Sequence, residues 1–264
     1  MNKIETTAGY IVSLDEFLKG SDKDQKEFLE DFVAESNWIE GIEFNKIVTM
    51  NKGDKIKPYY KVTDHKKALD YVLDNYKEQP TEQDIKHLHR LLTENIFREE
   101  AEYIIDNNKL TEKRQKEIEE IYERDSGNYR QCKVWVGLQG GTYYRQVPKL
   151  MKGLEKDIKQ LTNPTEQDVW TIHNKFETFH PFVDGNGRTG RLLLNWLSLR
   201  YLNEFIINQG DKRGDYYDII REYTAKFKQE NSQVHFYKDL PPRKIDEHQI
   251  YELLLRANEK PFFD

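Results

Sequence analysis

Cysteine is almost missing from this chain. One thiol, Cys132, serves 264 residues, so no internal disulfide can form and a cysteine-rich zinc site is excluded. Long apolar runs are missing too. No stretch approaches the roughly 20 apolar residues of a membrane-spanning helix, and the opening "MNKIETTAGYIVSLDEFLKG" lacks the apolar run of a signal peptide. Nor is there a positive excess: 41 Lys and Arg face 47 Asp and Glu, a net charge of -6, which gives no support to a general affinity for nucleic acid or acidic membranes. Any anion site must be local. With no internal repeat, low-complexity tract or linker, the expectation is a cytoplasmic protein forming a single unit over 1–264, with no nucleic-acid and no membrane partner.

What is present is material for a helical core, 37% apolar and 12% aromatic. "SDKDQKEFLEDFVAESNWIEGIEF" places Phe28, Leu29, Phe32, Val33, Ile39 and Ile42 near one face after Ser21 or Asp22 as N-cap, predicting a helix over 22–44. "TEQDIKHLHRLLTENI" starts with Thr81 and Asp84 in capping-box spacing, and "PTEQDVWTIHNKFETF" repeats the device with Thr165 and Asp168. Between them "VPKLMKGLEKDIKQL" carries Val147, Leu150, Met151, Leu154, Ile158 and Leu161 at helical steps. "RLLLNWLSLRYL" is apolar almost all round, as a helix at the centre of an all-helical core must be. "NYRQCKVWVGLQGGTYYRQV" differs: Cys132, Val134 and Val136 alternate with Gln131 and Lys133 before Gly137, Gly140 and Gly141, the pattern of a β-hairpin with a glycine turn that must lie against the helices. The charged run "EKRQKEIEEIYERD" reads as a solvated helix face.

The chemistry concentrates in "HPFVDGNGRTGR", residues 180 to 191, between two apolar helices. Gly185, Asn186 and Gly187 run into Arg188 at a helix start, where backbone N–H groups and the helix dipole make an anion hole suited to phosphate. Arg188 and Arg191 lie three apart, and both can fork onto phosphate oxygens. Asp184 stands ahead of this hole, where a carboxylate beside clustered phosphates suits Mg²⁺. His180 ends the preceding helix and can accept a proton near neutral pH. These residues make the parts of a phosphate-transfer site: a base, a metal ligand, an anion hole and two clamps.

The same twelve residues resemble the Fic motif, H-P-F-x-D/E-G-N-G-R-x-x-R, at every specified position, and the likeness extends over roughly residues 30 to 225. The resemblance implies an all-α Fic-type helical bundle with a β-hairpin flap beside the active site, the core over 80–225 and the flap near 133–146. It implies AMP transfer from ATP to a hydroxyl of a target protein, with Mg²⁺ as cofactor. His180 would then be the general base, Asp184 the Mg²⁺ ligand, Gly185, Asn186, Gly187 and Arg188 the holders of phosphates, and Arg188 and Arg191 the clamps on the outer ones. The flap, from about Lys133 to Gln146, would dock an unknown target protein by strand addition. A kinase-like branch of the superfamily carries lysine where this chain has Gly187, which favours nucleotidyl transfer here.

"SNWIEG", residues 36 to 41, gains meaning beside that site. Ser36 and Glu40 share a helix face and Gly41 allows close packing at the helix end. The stretch is similar to the family's inhibitory motif, S/T-x-x-x-E-G/N, in the class whose brake lies in the N-terminal part of the same chain, with Glu40 paired to Arg191. Removal of AMP from a modified target, alone or with the forward reaction, and a nucleotide-binding regulator without turnover are the rival readings. Tyr217, in "GDYYDIIREYTAKF", is expected near the adenine, with core packing as the alternative. His89 and His173 read as core histidines with hydrogen-bonded rings. The tail 240–264 holds a short amphipathic helix through Ile250, Leu253 and Leu254, and a homo-oligomer is left open.

Overall fold

A computed structural model of the protein describes residues 1–41 and 56–240, with residues 56–58 given by their backbone. The expected positions Ile42, Ile250, Leu253 and Leu254, with most of the 240–264 tail, lie outside the described residues. Among the described residues the chain runs β1 (Ile4–Thr6), β2 (Gly9–Ser13), α1 (Leu14–Lys19), α2 (Asp22–Ile39), α3 (Ile56–Asn75), α4 (Glu82–Asn107), α5 (Glu112–Asp125), β3 (Trp135–Val136), β4 (Gln139–Gly140), α6 (Val147–Lys159), α7 (Glu166–Phe179), α8 (Asn186–Leu202), β5 (Glu204–Asn208) and α9 (Arg213–Glu230). It is a helical fold with small antiparallel sheets. None of the described helices is long and apolar enough to cross a membrane.

Local signals form as their chemistry dictates. Ser21 and Asp24, Thr81 and Asp84, and Thr165 and Asp168 each close a reciprocal capping box, so α2, α4 and α7 start where side chains satisfy the orphan N–H groups. The charged run becomes α5, where only Ile118 is buried. α8 is buried on every side because two cores meet across it. Leu192, Trp196 and Leu199 enter one with Phe17, Phe28, Phe32, Leu69 and Phe205. Leu193, Leu194 and Leu197 enter the other with Met151, Ile158, Val169, Phe176 and Phe182.

The three-stranded sheet, order β1-β2-β5, is not anticipated from the periodicity. β2 and β5 are five-residue apolar runs, too short for a pattern to separate strand from helix, and they pair across nearly the whole chain, with Ile11 opposite Ile206. β5 is an edge strand whose open side is closed by a side chain. Asn195 on α8 accepts the Ile206 N–H at 2.9 Å and donates to the Ile206 carbonyl at 2.8 Å and the Arg191 carbonyl at 3.0 Å.

The hairpin is shorter than its alternation suggests. Only Trp135 with Gly140 and Val136 with Gln139 pair as strands, and Tyr144–Gln146 is already a 3-10 turn. Val134 is buried while Val136 is 38% exposed, because the tip projects past the core. Cys132 is only partly buried.

Replacing Asn195 by leucine keeps the branched shape and strands the Ile206 N–H and carbonyl. Asn195→Leu should cost about 3 kcal/mol, the penalty of buried polar groups left unpaired. Urea denaturation followed by circular dichroism measures it, and an unchanged midpoint would show that β5 does not depend on this cap.

Candidate active site

The loop from His180 to Gly185 takes its shape from three side chains remote in sequence or placed after it. α7 ends at His180, whose backbone is left-handed (φ 47, ψ 63) and whose N–H returns to the Phe176 carbonyl at 3.0 Å. A histidine in this region is strained and must be held. Arg130 holds it: its Nε donates to the His180 carbonyl at 2.7 Å, and its Nη2 donates to the Thr142 carbonyl at 2.6 Å and to Thr142 Oγ1 at 3.1 Å. Its backbone N–H also reaches the Pro181 carbonyl at 2.9 Å. Arg130 thus joins the flap to the base of the loop.

His89 supports the far side. Its ring stacks on Phe182 with centroids 3.8 Å apart and planes 6° apart. The Gly127 N–H donates to Nδ1 at 2.9 Å, so Nε2 carries the proton and donates to the Asp184 carbonyl at 2.8 Å. His89 is a core histidine as expected, and also the prop under Asp184. Asn186 closes the loop, accepting the Phe182 N–H at 2.8 Å and donating to the Phe182 carbonyl at 3.0 Å. The buried carboxamide is thus engaged with the backbone of its own loop. There Gly185 is left-handed at φ 75 and the first N–H groups of α8 have no helical acceptor.

Charge is distributed unevenly over this loop. The side chain of Asp184 is 60% exposed, with Arg188 Nη2 at 3.7 Å. Desolvation pushes its carboxyl up, but the Arg188 charge and the Gly185 N–H outweigh it and hold it below the usual range, so it is ionised. Arg188 is buried, and its Nη1 has no hydrogen-bond partner among the described residues. A buried guanidinium N–H without an acceptor suits an incoming anion. His180 is lowered to about 4, first by burial and then by the Arg130 charge, which keeps the imidazole neutral at pH 7. Its Nδ1 has no partner. The donor set can accommodate Mg²⁺ only with a nucleotide: one ionised carboxylate is at hand, and no group of three metal-ligating side chains occurs among the described residues.

Arg191, by contrast, is fully engaged. Its Nε donates to Ser36 Oγ at 2.8 Å, and its Nη2 donates to the Ser36 carbonyl and to Glu40 Oε1, each at 2.7 Å. Its Nη1 reaches the Tyr216 hydroxyl at 3.4 Å. The structure therefore brings "SNWIEG" to Arg191, the last arginine of the 180–191 stretch. Gly187 lies under the same carboxylate, and a Cβ there would collide with Glu40 Oε1. Among the described residues nothing lies within 4 Å of where the Gly41 Cβ would be, and its φ is 78, a left-handed helix end that favours glycine. Tyr217 is part of the contact between α9 and α2. Its hydroxyl donates to the Ile39 carbonyl at 3.1 Å and its ring packs with Ala8, Ile39 and Tyr216, so it ties α9 to α2.

Sequence reasoning missed Arg130 and Glu177, and no local pattern marks either. Glu177, three residues before His180, is buried against Gly190 with Oε1 unpartnered. Burial pushes its carboxyl up to about 8 against the pull of Arg191. His173 spans Gly190 and Tyr216, its Nδ1 3.0 Å from the Gly190 carbonyl and its Nε2 3.1 Å from the Tyr216 hydroxyl.

Comparison with known proteins places this arrangement. A sequence model of the Fic/DOC family matches residues 79–198. A protein adenylyltransferase Fic of Nematostella vectensis is 30% identical over 109 residues, 37% of this chain and 24% of that protein. That of Aedes aegypti is 34% identical over 118 residues, 40% of this chain and 23% of that protein. The matched stretch thus spans about a quarter of these curated relatives. In fold, the chain is similar to a Fic domain-containing signalling protein of Bacteroides thetaiotaomicron VPI-5482, with a TM-score of 0.56 and 19% identity over 79% of this chain and 77% of that one. Fic-1 of C. elegans is similar too, with a TM-score of 0.55 and 19% identity over 82% of this chain and 67% of that one.

The buried titratable groups make stability depend on pH. Burial lowers His89 and His180 to about 4, His173 to about 3 and His65 well below its ordinary 6.5. Each binds a proton more readily unfolded, so its contribution is full above pH 6.5 and is lost as pH falls toward those values. Glu177 works oppositely, its contribution being lost as pH rises through 8. Four histidines outweigh Glu177 between pH 6.5 and 4. The urea midpoint should therefore fall from pH 7 to pH 5, each histidine contributing at most about 1.4 kcal/mol per pH unit, and Glu177→Gln should steepen the fall. A midpoint that rises at pH 5 would contradict this assignment.

Proposed function

The chain is a Fic-domain protein, and from that premise we propose that it transfers AMP from ATP to a hydroxyl of a target protein, releasing pyrophosphate, and is held back by its own α2. The observation that carries the reading is the head of α8: a main-chain anion hole, a buried Arg188 with an unpaired donor, an ionised Asp184 and a neutral His180 share one loop. Neutral His180 takes the proton of the target hydroxyl. The oxygen attacks the α-phosphorus, and the bond to the pyrophosphate oxygen breaks. The N–H groups of Gly185 to Arg188 bind phosphate oxygens, and Arg188 supplies the buried positive charge. Asp184 would hold Mg²⁺ together with those phosphates, the ion supplying charge neutralisation when bound. The names of the curated relatives, protein adenylyltransferases, support the reaction class.

The brake rests on one contact. Glu40 Oε1, 2.7 Å from Arg191, satisfies the clamp that an outer phosphate would need and sets a negative charge where ATP must place its own. A second reaction has support from the same side chain. The Glu40 side chain is 32% exposed with one oxygen on Arg191, so the other can orient water against an AMP ester, and hydrolysis of AMP from a modified target belongs to the reading as its reverse branch.

Transfer of α-labelled AMP from ATP and Mg²⁺ into the protein itself and into a cell lysate tests the proposal. Glu40→Gly should raise labelling at least tenfold over wild type, and His180→Ala added to it should abolish the label while nucleotide binding persists. Labelling that does not rise in a folded Glu40→Gly protein would remove the brake. No label in any variant, with AMP released from a modified protein, would move the assignment to hydrolysis.

A further inference from the structure

Two carboxyl groups lie beside Arg191, Glu40 from the end of α2 and Glu177 from the last turn of α7. Each is seated on a glycine of α8. A Cβ at Gly187 would collide with Glu40 Oε1, and a Cβ at Gly190 would collide with Glu177 Oε1. Gly187 and Gly190 are three residues apart and share a helix face, so the two carboxyl groups sit about one turn apart beside the same guanidinium.

They are met differently. Glu40 Oε1 accepts from Arg191 Nη2 at 2.7 Å. Glu177 is 8% exposed, and its Oε1 has no hydrogen-bond partner among the described residues. On the guanidinium, Nη1 carries two N–H groups and among the described residues makes only the long 3.4 Å bond to the Tyr216 hydroxyl. It lies 3.0 Å from the Cβ position of Gly187. A spare donor and a spare acceptor therefore flank one turn of α8.

The groups that face Glu177 are Arg191 on α8, Glu40 on α2 and the hydroxyls of Tyr216 and Tyr217 on α9, with neutral His173 and His180 on either side along its own chain. Asp157 of α6 is taken by Lys175 at 2.7 Å. One cation cannot stabilise two buried anions equally. The Glu40 carboxylate holds Arg191, and Glu177 keeps its proton: burial pushes it up to about 8 against the pull of Arg191, and the Glu40 charge adds to the push.

We propose that Glu177 is the stand-in counter-ion of Arg191: when the Glu40 carboxylate leaves, the Glu177 carboxyl gives its proton to solvent water and takes over the guanidinium charge. The end of α2 can then withdraw without stranding a buried cation. Withdrawal releases one proton, so rising pH favours it until Glu177 ionises with Glu40 still in place, near pH 8. That withdrawal admits a phosphate rests on the transferase reading. The exchange of counter-ions does not.

Infrared spectra of the nucleotide-free full chain test the exchange, because a protonated carboxyl has its own C=O band. At pH 7 the difference between wild type and Glu177→Gln should show that band, which assigns it to Glu177. The difference between wild type and Glu40→Gln should show the same band at the same size, since Glu177 has ionised there. A band retained in Glu40→Gln overturns the proposal, and so does its absence from wild type. Urea denaturation at pH 7 gives a second reading. Glu177→Gln should leave wild type as stable or more so, yet lower the folding constant of Glu40→Gln at least tenfold. Additive effects overturn the proposal, and the infrared test needs only the two single variants should the double one not fold. Neither measurement uses nucleotide or turnover, so a lack of AMP transfer in every variant refutes the transferase reading and leaves the counter-ion exchange standing.

Discussion

A guanidinium buried at 1% exposure is costly unless its charge and its N–H groups are met, and most of the site follows from how Arg191 is met. Its partners come from the end of α2, where Ser36 supplies a carbonyl and a hydroxyl and Glu40 a carboxylate. Tyr216 on α9 adds a hydroxyl that His173 on α7 holds in turn. Four helices thus converge on one charge. The stripe of α2 packs its body into the core with Phe28, Phe32 and Val33, which carries Ser36 and Glu40 to a fixed place. Anything that removes Glu40 leaves Arg191 bound to Ser36 but without its nearest counter-charge.

The loop beside it is a second dependent structure. His180 cannot hold a left-handed backbone by itself, and Arg130, Asn186 and His89 each bind a different carbonyl of the 180–184 stretch. Because Arg130 also grips Thr142, the conformation of the loop and the attachment of the flap rest on one side chain. The flap, a two-residue pair at each strand, is too small to be stable alone. It is ordered by that arginine below and by residues 235–240 along its outer edge. His180, the flap and residues 235–240 are therefore linked through direct contacts.

Where local chemistry decides, the chain was legible. Ser21, Thr81 and Thr165 start helices because their oxygens and the acids three residues on satisfy one turn of backbone. α8 was readable as central because no polar stripe gives it a solvent face. The 180–191 motif was readable because its residue types are rare in that combination. Illegible were β2 and β5, short apolar runs whose pairing joins Ile11 to Ile206. Illegible too were Arg130, an unremarked arginine in a hairpin, and Glu177, an acid in a helix whose burial no neighbour announces.

The sequence by itself determined the helical class, the helix starts and the glycine-rich turn between α7 and α8, since spacing and residue type carry that information within a few turns of backbone, whereas the pairing of Glu40 with Arg191, 151 residues apart, was implied only by the resemblance. Only the tertiary structure decided which polar groups are already engaged: Asn186 closing its loop, Tyr217 tying α9 to α2, Gly41 serving a backbone angle and residues 235–240 filling the flap edge. Those outcomes depend on contacts between segments that lie far apart along the chain, and a hydrogen-bonding group has the same appearance in a sequence whether its partner is a ligand, the solvent or the protein's own backbone.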